Sequence, residues 1–301
     1  MKVLICDPTA PEAVQRMREA GLEVDVRDDV SPEQLLEVAP AYHGMVVRSR
    51  TKVRQPVIDR ASNLKVIVRG GVGLDNIDAA YARSKGVTVL NTPGASSASV
   101  AELTIGYLFA LARQIPQATA SMKAGLWEKK RFAGTELAGK RLGLIGCGRI
   151  GGEVAKRAHA LGMDVVFFRR TQSEMAYAKQ VSLDELIRTA DYISLHVPLS
   201  DATRNILNAE AFAAMKDGVF IVNCGRGGTL DEEALFAAIQ AGKVAGAALD
   251  VYAEEPAKNH KLFTLEQVIG SPHVGASTTE ATDRVGGEVT ELLIKFYREN
   301  F

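Results

Sequence analysis

Residues 140–170 read KRLGLIGCGRIGGEVAKRAHALGMDVVFFRR. An apolar run ends at Gly146, and the glycines recur as Gly146-x-Gly148-x-x-Gly151. A helical stretch follows, and a second apolar run, 165–168, closes the segment. In this strand–turn–helix–strand context such glycines let a pyrophosphate approach the backbone, at a helix N-terminus whose free N–H groups and dipole favour anions. Glycine-rich turns without a ligand are common, so the context rather than the triplet predicts dinucleotide binding. One feature departs from the usual arrangement. An acid commonly ends the second strand and binds the adenosine ribose hydroxyls. Here Asp164 precedes the strand, and Arg169 and Arg170 follow it.

The alternation extends in both directions. Apolar runs at 142–145, 165–168, 192–197, 219–222, 245–249 and 267–269, separated by helical stretches, predict a doubly wound sheet of six parallel strands. Upstream, runs at 2–6, 22–26, 45–47, 65–68 and 87–90 alternate with helix signals and predict a second parallel sheet. One of those signals is Ser31-Pro32, a capping residue followed by proline at the first helical position. The fold class expected is therefore α/β with two doubly wound domains. Between the two series lies SVAELTIGYLFALARQI, residues 99–115, read as one helix nearly apolar all round and so buried between domains or subunits. Residues 278–301 read as a final amphipathic helix.

Composition narrows the function classes. The chain has 301 residues, enough for two domains. Lys plus Arg and Asp plus Glu are 36 each, so no net field draws it to nucleic acid or membrane, and anion recognition has to be local. Cys6, Cys147 and Cys224 are an odd set without paired spacing, which suits reduced thiols in the cytoplasm better than disulfides or a zinc site. The start, MKVLICD, reads as a strand rather than a signal peptide, and no run has membrane-spanning length.

Of five histidines, His159 reads as a solvated helix residue, His196 as structural, and His43 and His260 as loop residues without a patterned partner. His273 follows Pro272 at the end of the last strand, the end that faces the ligand crevice in an open α/β sheet. Arg226 in NCGRGG and the acids of DVYAEEP also follow strands of that sheet. Three unrelated polar loops would look the same, and spacing does not choose between Glu254 and Glu255.

The ordered motifs GCGRIG, HVPL, NCGRGG, ALDVYAEEP and SPHVGAST resemble those of the D-2-hydroxyacid dehydrogenase family. The first half is similar too. VVRSRTKV, VIVRGGVGLDNIDAAYARSKGVTVLNTPG and SVAELTIGYLFALAR point within the family to the phosphoglycerate dehydrogenases, in the short form without a regulatory domain.

The resemblance implies a Rossmann cofactor domain at 99–276 and a discontinuous, flavodoxin-like substrate domain at 1–98 and 277–301. It implies hydride transfer between a nicotinamide dinucleotide and a D-2-hydroxy or 2-oxo acid, most specifically 3-phosphoglycerate and 3-phosphohydroxypyruvate. Hydroxypyruvate or glyoxylate reduction is the alternative, and a nucleotide-sensing co-repressor a more distant one. By the same route Arg226 would bind the substrate carboxylate, His273 would act as general acid–base, and Glu255 would be its partner. Gly146, Gly148, Arg149, Ile150 and Gly151 would lie on the pyrophosphate. Val72, Val197, Cys224 and Ala276 would line the cofactor, and Asp250 would hold the nicotinamide carboxamide. Arg48, Ser49, Gly71, Val72 and Gly73 would meet the substrate, joined by Lys129 from a neighbouring subunit of a homodimer. Because Arg169 and Arg170 replace the usual acid with cationic donors, NADP(H) is expected over NAD(H).

Overall fold

The computed structural model describes residues 1–301. The chain divides into two compact units, Met1–Ser97 with Ala276–Phe301, and Ala98–Gly275. Each division falls one residue before the boundary given above.

In the first unit the order is β1 (Lys2–Ile5), α1 (Pro11–Glu19), β2 (Glu23–Val26), α2 (Pro32–Val38), β3 (Gly44–Val47), α3 (Gln55–Arg60), β4 (Val66–Arg69), α4 (Ala79–Ser84) and β5 (Thr88–Asn91). The strands form one parallel sheet, β2-β1-β3-β4-β5. This is the flavodoxin-like order. Alternate residues of each strand serve opposite faces. Leu4, Met45, Val47 and Ile67 join one apolar cluster, whereas Val3, Ile5, Val46, Val66 and Val68 join the other. Ser31 caps α2 in a reciprocal box with Gln34, as the Ser-Pro start requires.

The second unit begins on α5 (Ser97–Arg113) and continues through α6 (Ile115–Lys123), β6 (Arg141–Ile145), α7 (Arg149–Ala160), β7 (Asp164–Phe168), β8 (Lys179–Gln180), α8 (Leu183–Thr189), β9 (Tyr192–Leu195), α9 (Ala209–Ala214), β10 (Val219–Asn223), α10 (Glu232–Gln240), β11 (Val244–Leu249) and β12 (Val268–Gly270). The chain then returns to the first unit as α11 (Thr279–Asn300), whose Val285, Val289 and Leu293 pack with Val3, Ile5 and Met17. The sheet of the second unit has seven strands, β12-β11-β10-β9-β6-β7-β8, all parallel. The chain moves outward from β6 to β7 and β8, then restarts on the other side at β9. The carboxyl ends of β6 and β9 therefore flank the switch point, where doubly wound sheets bind ligands.

Two expectations need correction. The sheet has a seventh strand, β8, whose two residues, Lys179 and Gln180, carry no β-branched or aromatic signal. The helix expected at 99–115 runs instead from Ser97 to Arg113. Gln114 turns into the left-handed region at φ 50°, and α6 starts behind it with Pro116 in its first turn. Proline has no N–H to continue the first helix, and its ring would meet the carbonyl four residues back, so the chain restarts rather than extends. Within the single chain α5 is buried on one side. Val100, Leu108, Leu111 and Ala112 enter the core, while Phe109 on the opposite side is 39% exposed.

Candidate active site

The glycine turn is built by contact. Gly146 has φ +93°, and a Cβ there would lie 2.7 Å from Val197 Cγ1 and 2.9 Å from the His196 carbonyl. A Cβ on Gly151 would lie 2.6 Å from the Gly146 oxygen, so α7 packs onto the turn only with glycine at this place. Gly148 differs, because a Cβ there would meet nothing within 4 Å. This is the open side of the turn. Gly148 precedes Arg149 and Ile150 at the start of α7, whose first N–H groups have no side-chain cap. Open space over uncapped helical N–H groups is what a pyrophosphate requires.

His196, beside this turn, is neutral. Burial pushes it down to about 4, its Nε2 lies 2.9 Å from Ser194 Oγ, and its Nδ1 is buried without a hydrogen-bond partner. Burial also holds the thiols of Cys147 and Cys224 up, to about 11 and about 12. Neither is a thiolate at neutral pH.

Arg169, Arg170 and Thr171 are exposed at the end of β7. Arg169 stands close enough to the turn to act on Cys147, opposing the effect of that thiol's burial. No acid ends the strand, and Asp164 at its start pairs with Arg141 at 2.6 Å.

Around the ends of β10, β11 and β12 the structure gathers the second set of residues. His273 Nδ1 lies 2.7 Å from Glu255 Oε2, which resolves the choice between the adjacent acids in favour of Glu255. Glu255 Oε1 accepts the Tyr252 N–H at 3.2 Å. Burial alone would raise the Glu255 carboxyl. The hydrogen bond and charge of His273, the Tyr252 N–H and the charge of Arg226 outweigh it and bring the group below its ordinary value. Arg226 joins this set through a close backbone approach, since a Cβ on Gly227 would overlap the Tyr252 carbonyl at 1.7 Å. Its own loop is fixed by Asn223, whose amide donates to the Arg226 carbonyl at 3.0 Å and accepts from the Gly225 N–H at 3.0 Å.

His273 is held in the left-handed region, φ 54°. Asp250, only 1% exposed, explains how. Its carboxylate accepts from Val274 N at 2.8 Å, from Gly275 N at 2.7 Å and from Ser271 Oγ, and Tyr107 adds a hydroxyl to Ser271. Asp250 thus shapes the loop that presents His273, a task the sequence did not announce. His260, which no sequence pattern paired, has a partner in Glu232. Glu232 takes its Nε2 at 3.0 Å and the Ala253 N–H at 2.8 Å, gripping both ends of the loop that carries Glu255.

Arg48, Ser49, Gly71, Val72 and Gly73 belong to the first unit. Buried Asp7 organises their loop, accepting from the backbone of Arg48 and Thr51, from Thr51 Oγ1 at 2.8 Å and from Arg50 Nε at 3.1 Å. Arg50 also reaches the Cys6 carbonyl, so its guanidinium has a structural task. Arg69 donates to Ser49 Oγ at 3.2 Å and lies over Gly71. Nothing in the pattern VIVRGG singled it out. Lys129 is exposed on the segment after α6, near Trp127, which is 80% exposed. No group of His, Cys, Asp and Glu side chains could hold a metal ion, and no helix is long and apolar enough to cross a membrane.

Residues 105–275 match the family model described as D-isomer specific 2-hydroxyacid dehydrogenase, NAD binding domain. The D-3-phosphoglycerate dehydrogenase of Methanocaldococcus jannaschii is 49% identical over 303 residues, 99% of this chain and 58% of that protein. This chain thus spans little more than half the length of that relative. The hydroxypyruvate reductase of Thermotoga maritima is 49% identical over 299 residues, 98% of this chain and 97% of that protein. A solved structure from Thermus thermophilus matches with a TM-score of 0.91 and 37% identity, covering 98% of this chain and 97% of that one. On the glycine turn, the strand order and these matches together, the chain belongs to the D-isomer specific 2-hydroxyacid dehydrogenases.

Proposed function

We propose that the chain is an oxidoreductase that interconverts a 2-oxo acid and its D-2-hydroxy acid, with NADP(H) favoured over NAD(H). The observation that carries this reading is the 2.7 Å pairing of His273 with Glu255 beside the loop of Arg226. The dinucleotide supplies or removes the hydride when bound. Gly146, Gly148, Gly151 and the start of α7 fit its pyrophosphate, with Val197 packed against the turn. Arg226 offers a planar fork that suits a carboxylate. His273 gives a proton to the substrate oxygen during reduction and takes it back during oxidation, while Glu255 fixes the ring through its 2.7 Å contact with Nδ1. Arg169, Arg170 and Thr171 offer an exposed cationic surface suited to a 2′-phosphate.

The first unit serves in this reading as the substrate domain, and Arg48 and Ser49, with Lys129 from a second subunit, favour a phosphorylated substrate such as 3-phosphohydroxypyruvate. Hydroxypyruvate is the second reading, favoured by one observation. The hydroxypyruvate reductase from Thermotoga maritima is as similar to this chain as the phosphoglycerate dehydrogenase of Methanocaldococcus jannaschii, each 49% identical. A homodimer is supported by the exposed apolar side chains Phe109, Ile115, Met122, Leu126 and Trp127 on and after α5 and α6. Three buried free cysteines suit a cytoplasmic location. Steady-state rates on 3-phosphohydroxypyruvate, hydroxypyruvate and glyoxylate, each with NADPH and NADH, test the assignment. Turnover of none of the three would overturn it.

A further inference from the structure

The ten residues between β7 and β8 include no strand and no helix, yet they carry the two arginines. A backbone without regular structure would leave those side chains poorly aimed, so what fixes it matters. Gln180 does so with one amide. Its Nε2 donates to the Arg169 carbonyl at 2.9 Å and to the Thr171 carbonyl at 3.1 Å, and its Oε1 accepts the Ser173 N–H at 2.8 Å. Two carbonyls need the NH2 end and one N–H needs the oxygen, so the contacts themselves fix the orientation of the amide. Both amide hydrogens are engaged.

Gln180 is itself well placed. It stands opposite Phe167 in the β7–β8 register, and Val181 N donates to the Phe167 carbonyl at 2.9 Å. The far end of the loop has a separate anchor. Met175 Sδ lies 3.1 Å from Cys147 Sγ in the glycine turn, and a Cβ on Gly152 would touch Met175 at 3.7 Å. The segment is thus pinned at 169–173 by an amide and at 175 by a thioether, with Arg169 and Arg170 exposed between the strand and the second anchor.

We infer that Gln180 is a specificity-determining positioning residue, which presents Arg169, Arg170 and Thr171 to the 2′-phosphate of a phosphorylated dinucleotide without touching it. The inference rests on the NADP(H) reading above. Holding the loop in its bound shape removes the ordering cost that binding would otherwise carry. That gain applies only to a ligand that uses the loop. A dinucleotide held by the glycine turn alone does not depend on it.

The test uses the full chain and two small probes, 2′,5′-ADP and 5′-ADP, titrated calorimetrically, together with KM and kcat for NADPH and NADH. Gln180→Leu removes all three contacts. Gln180→Glu changes one group, keeps the shape and so the fold, and loses both donated bonds. Each variant is expected to bind 2′,5′-ADP about tenfold more weakly, the usual effect of losing one to two hydrogen bonds. Binding of 5′-ADP and kcat/KM with NADH should stay within about twofold of wild type. A merely structural role would weaken both probes together, and that result would overturn the inference. So would wild-type affinity for 2′,5′-ADP in both variants. If the wild-type protein itself fails to prefer 2′,5′-ADP over 5′-ADP, the NADP(H) reading falls first and this inference with it.

Discussion

Oε2 of Glu255 lies 2.7 Å from Nδ1 of His273, on a loop whose backbone Asp250 holds from behind. His273→Ala should lower kcat about 10²–10⁴-fold, the usual share of general acid–base catalysis, while titrated NADPH still binds. Glu255→Gln should lower kcat less, because the ring keeps its proton-transfer nitrogen and loses only the acceptor that fixes it. The sign for Glu255 itself follows from its native value, which lies below the ordinary 4.5. Its contribution to stability is complete above 4.5 and disappears as pH falls through the lower native value. Thermal unfolding of wild type and Glu255→Gln should therefore differ at neutral pH and converge in acid. A wild-type kcat in Glu255→Gln would end the pairing argument.

Arg226 and Arg48 should fail differently. Arg226→Lys keeps the charge but loses the fork, so kcat/KM should fall about 10–100-fold for every 2-oxo acid, as expected for one or two charged hydrogen bonds. Arg48→Ala and Lys129→Ala should hurt 3-phosphohydroxypyruvate at least about tenfold more than hydroxypyruvate. Equal losses on the two substrates would remove the phosphate assignment and leave hydroxypyruvate as the better reading.

Cofactor choice should reverse with the arginines. Wild type should show a KM for NADPH about tenfold or more below that for NADH at low ionic strength, where charged hydrogen bonds are least screened. Arg169→Asp combined with Arg170→Ala restores an acceptor for ribose hydroxyls and repels a 2′-phosphate, so NADH should become the better substrate. Wild-type preference for NADH in the same buffer would contradict the reading of VVFFRR.

His196 gives a pH dependence of stability independent of catalysis. Its native value is about 4 against 6.5 when exposed, so between these values the unfolded chain binds the extra proton. Stability is complete above 6.5 and declines as pH falls towards 4, by at most about 3 kcal/mol. Denaturant titrations of wild type and His196→Gln at pH 7 and pH 4.5 check this, the variant showing the smaller decline. Parallel declines would show that other groups govern the acid limb.

The apolar surface of α5 and α6 should be an interface between copies. Met122 is 56% and Trp127 80% exposed. Met122→Lys with Trp127→Glu should convert a dimer to monomers in light scattering. A wild-type monomer at assay concentration would refute the dimer and, with it, the trans role of Lys129.

Much of this was legible because period and punctuation survive in one dimension. Gly146, Gly148 and Gly151 sit where a strand stops and a helix starts, and nearly every strand is β-branched or apolar because both faces of a parallel sheet are covered. What escaped the reading is what three dimensions decide. Spacing left Glu254 and Glu255 equivalent, and only the resemblance named Glu255, the one that backbone direction sends to His273. Gln180 is a polar residue in a two-residue edge strand, and its three partners are backbone atoms that no residue type reveals. Asp7 is an acid after an apolar strand, indistinguishable in sequence from a solvated loop residue until Arg50 and Thr51 are seen to converge on it. Pro116, by contrast, was visible, and the break at Gln114 could have been read from it.

Both chain termini lie in the first unit, and the second unit is a single continuous segment whose ends meet. Ser99 Oγ donates to the Gly275 carbonyl at 2.6 Å, across 176 residues of sequence. Topologically, the nucleotide-binding half is an insertion with abutting entry and exit. Such an element is portable. Residues 98–275 should therefore be exchangeable for the corresponding segment of a relative without rerouting the strands of the first unit. The glycine turn and the 169–173 loop both lie within that segment, so on the NADP(H) reading cofactor preference should travel with it.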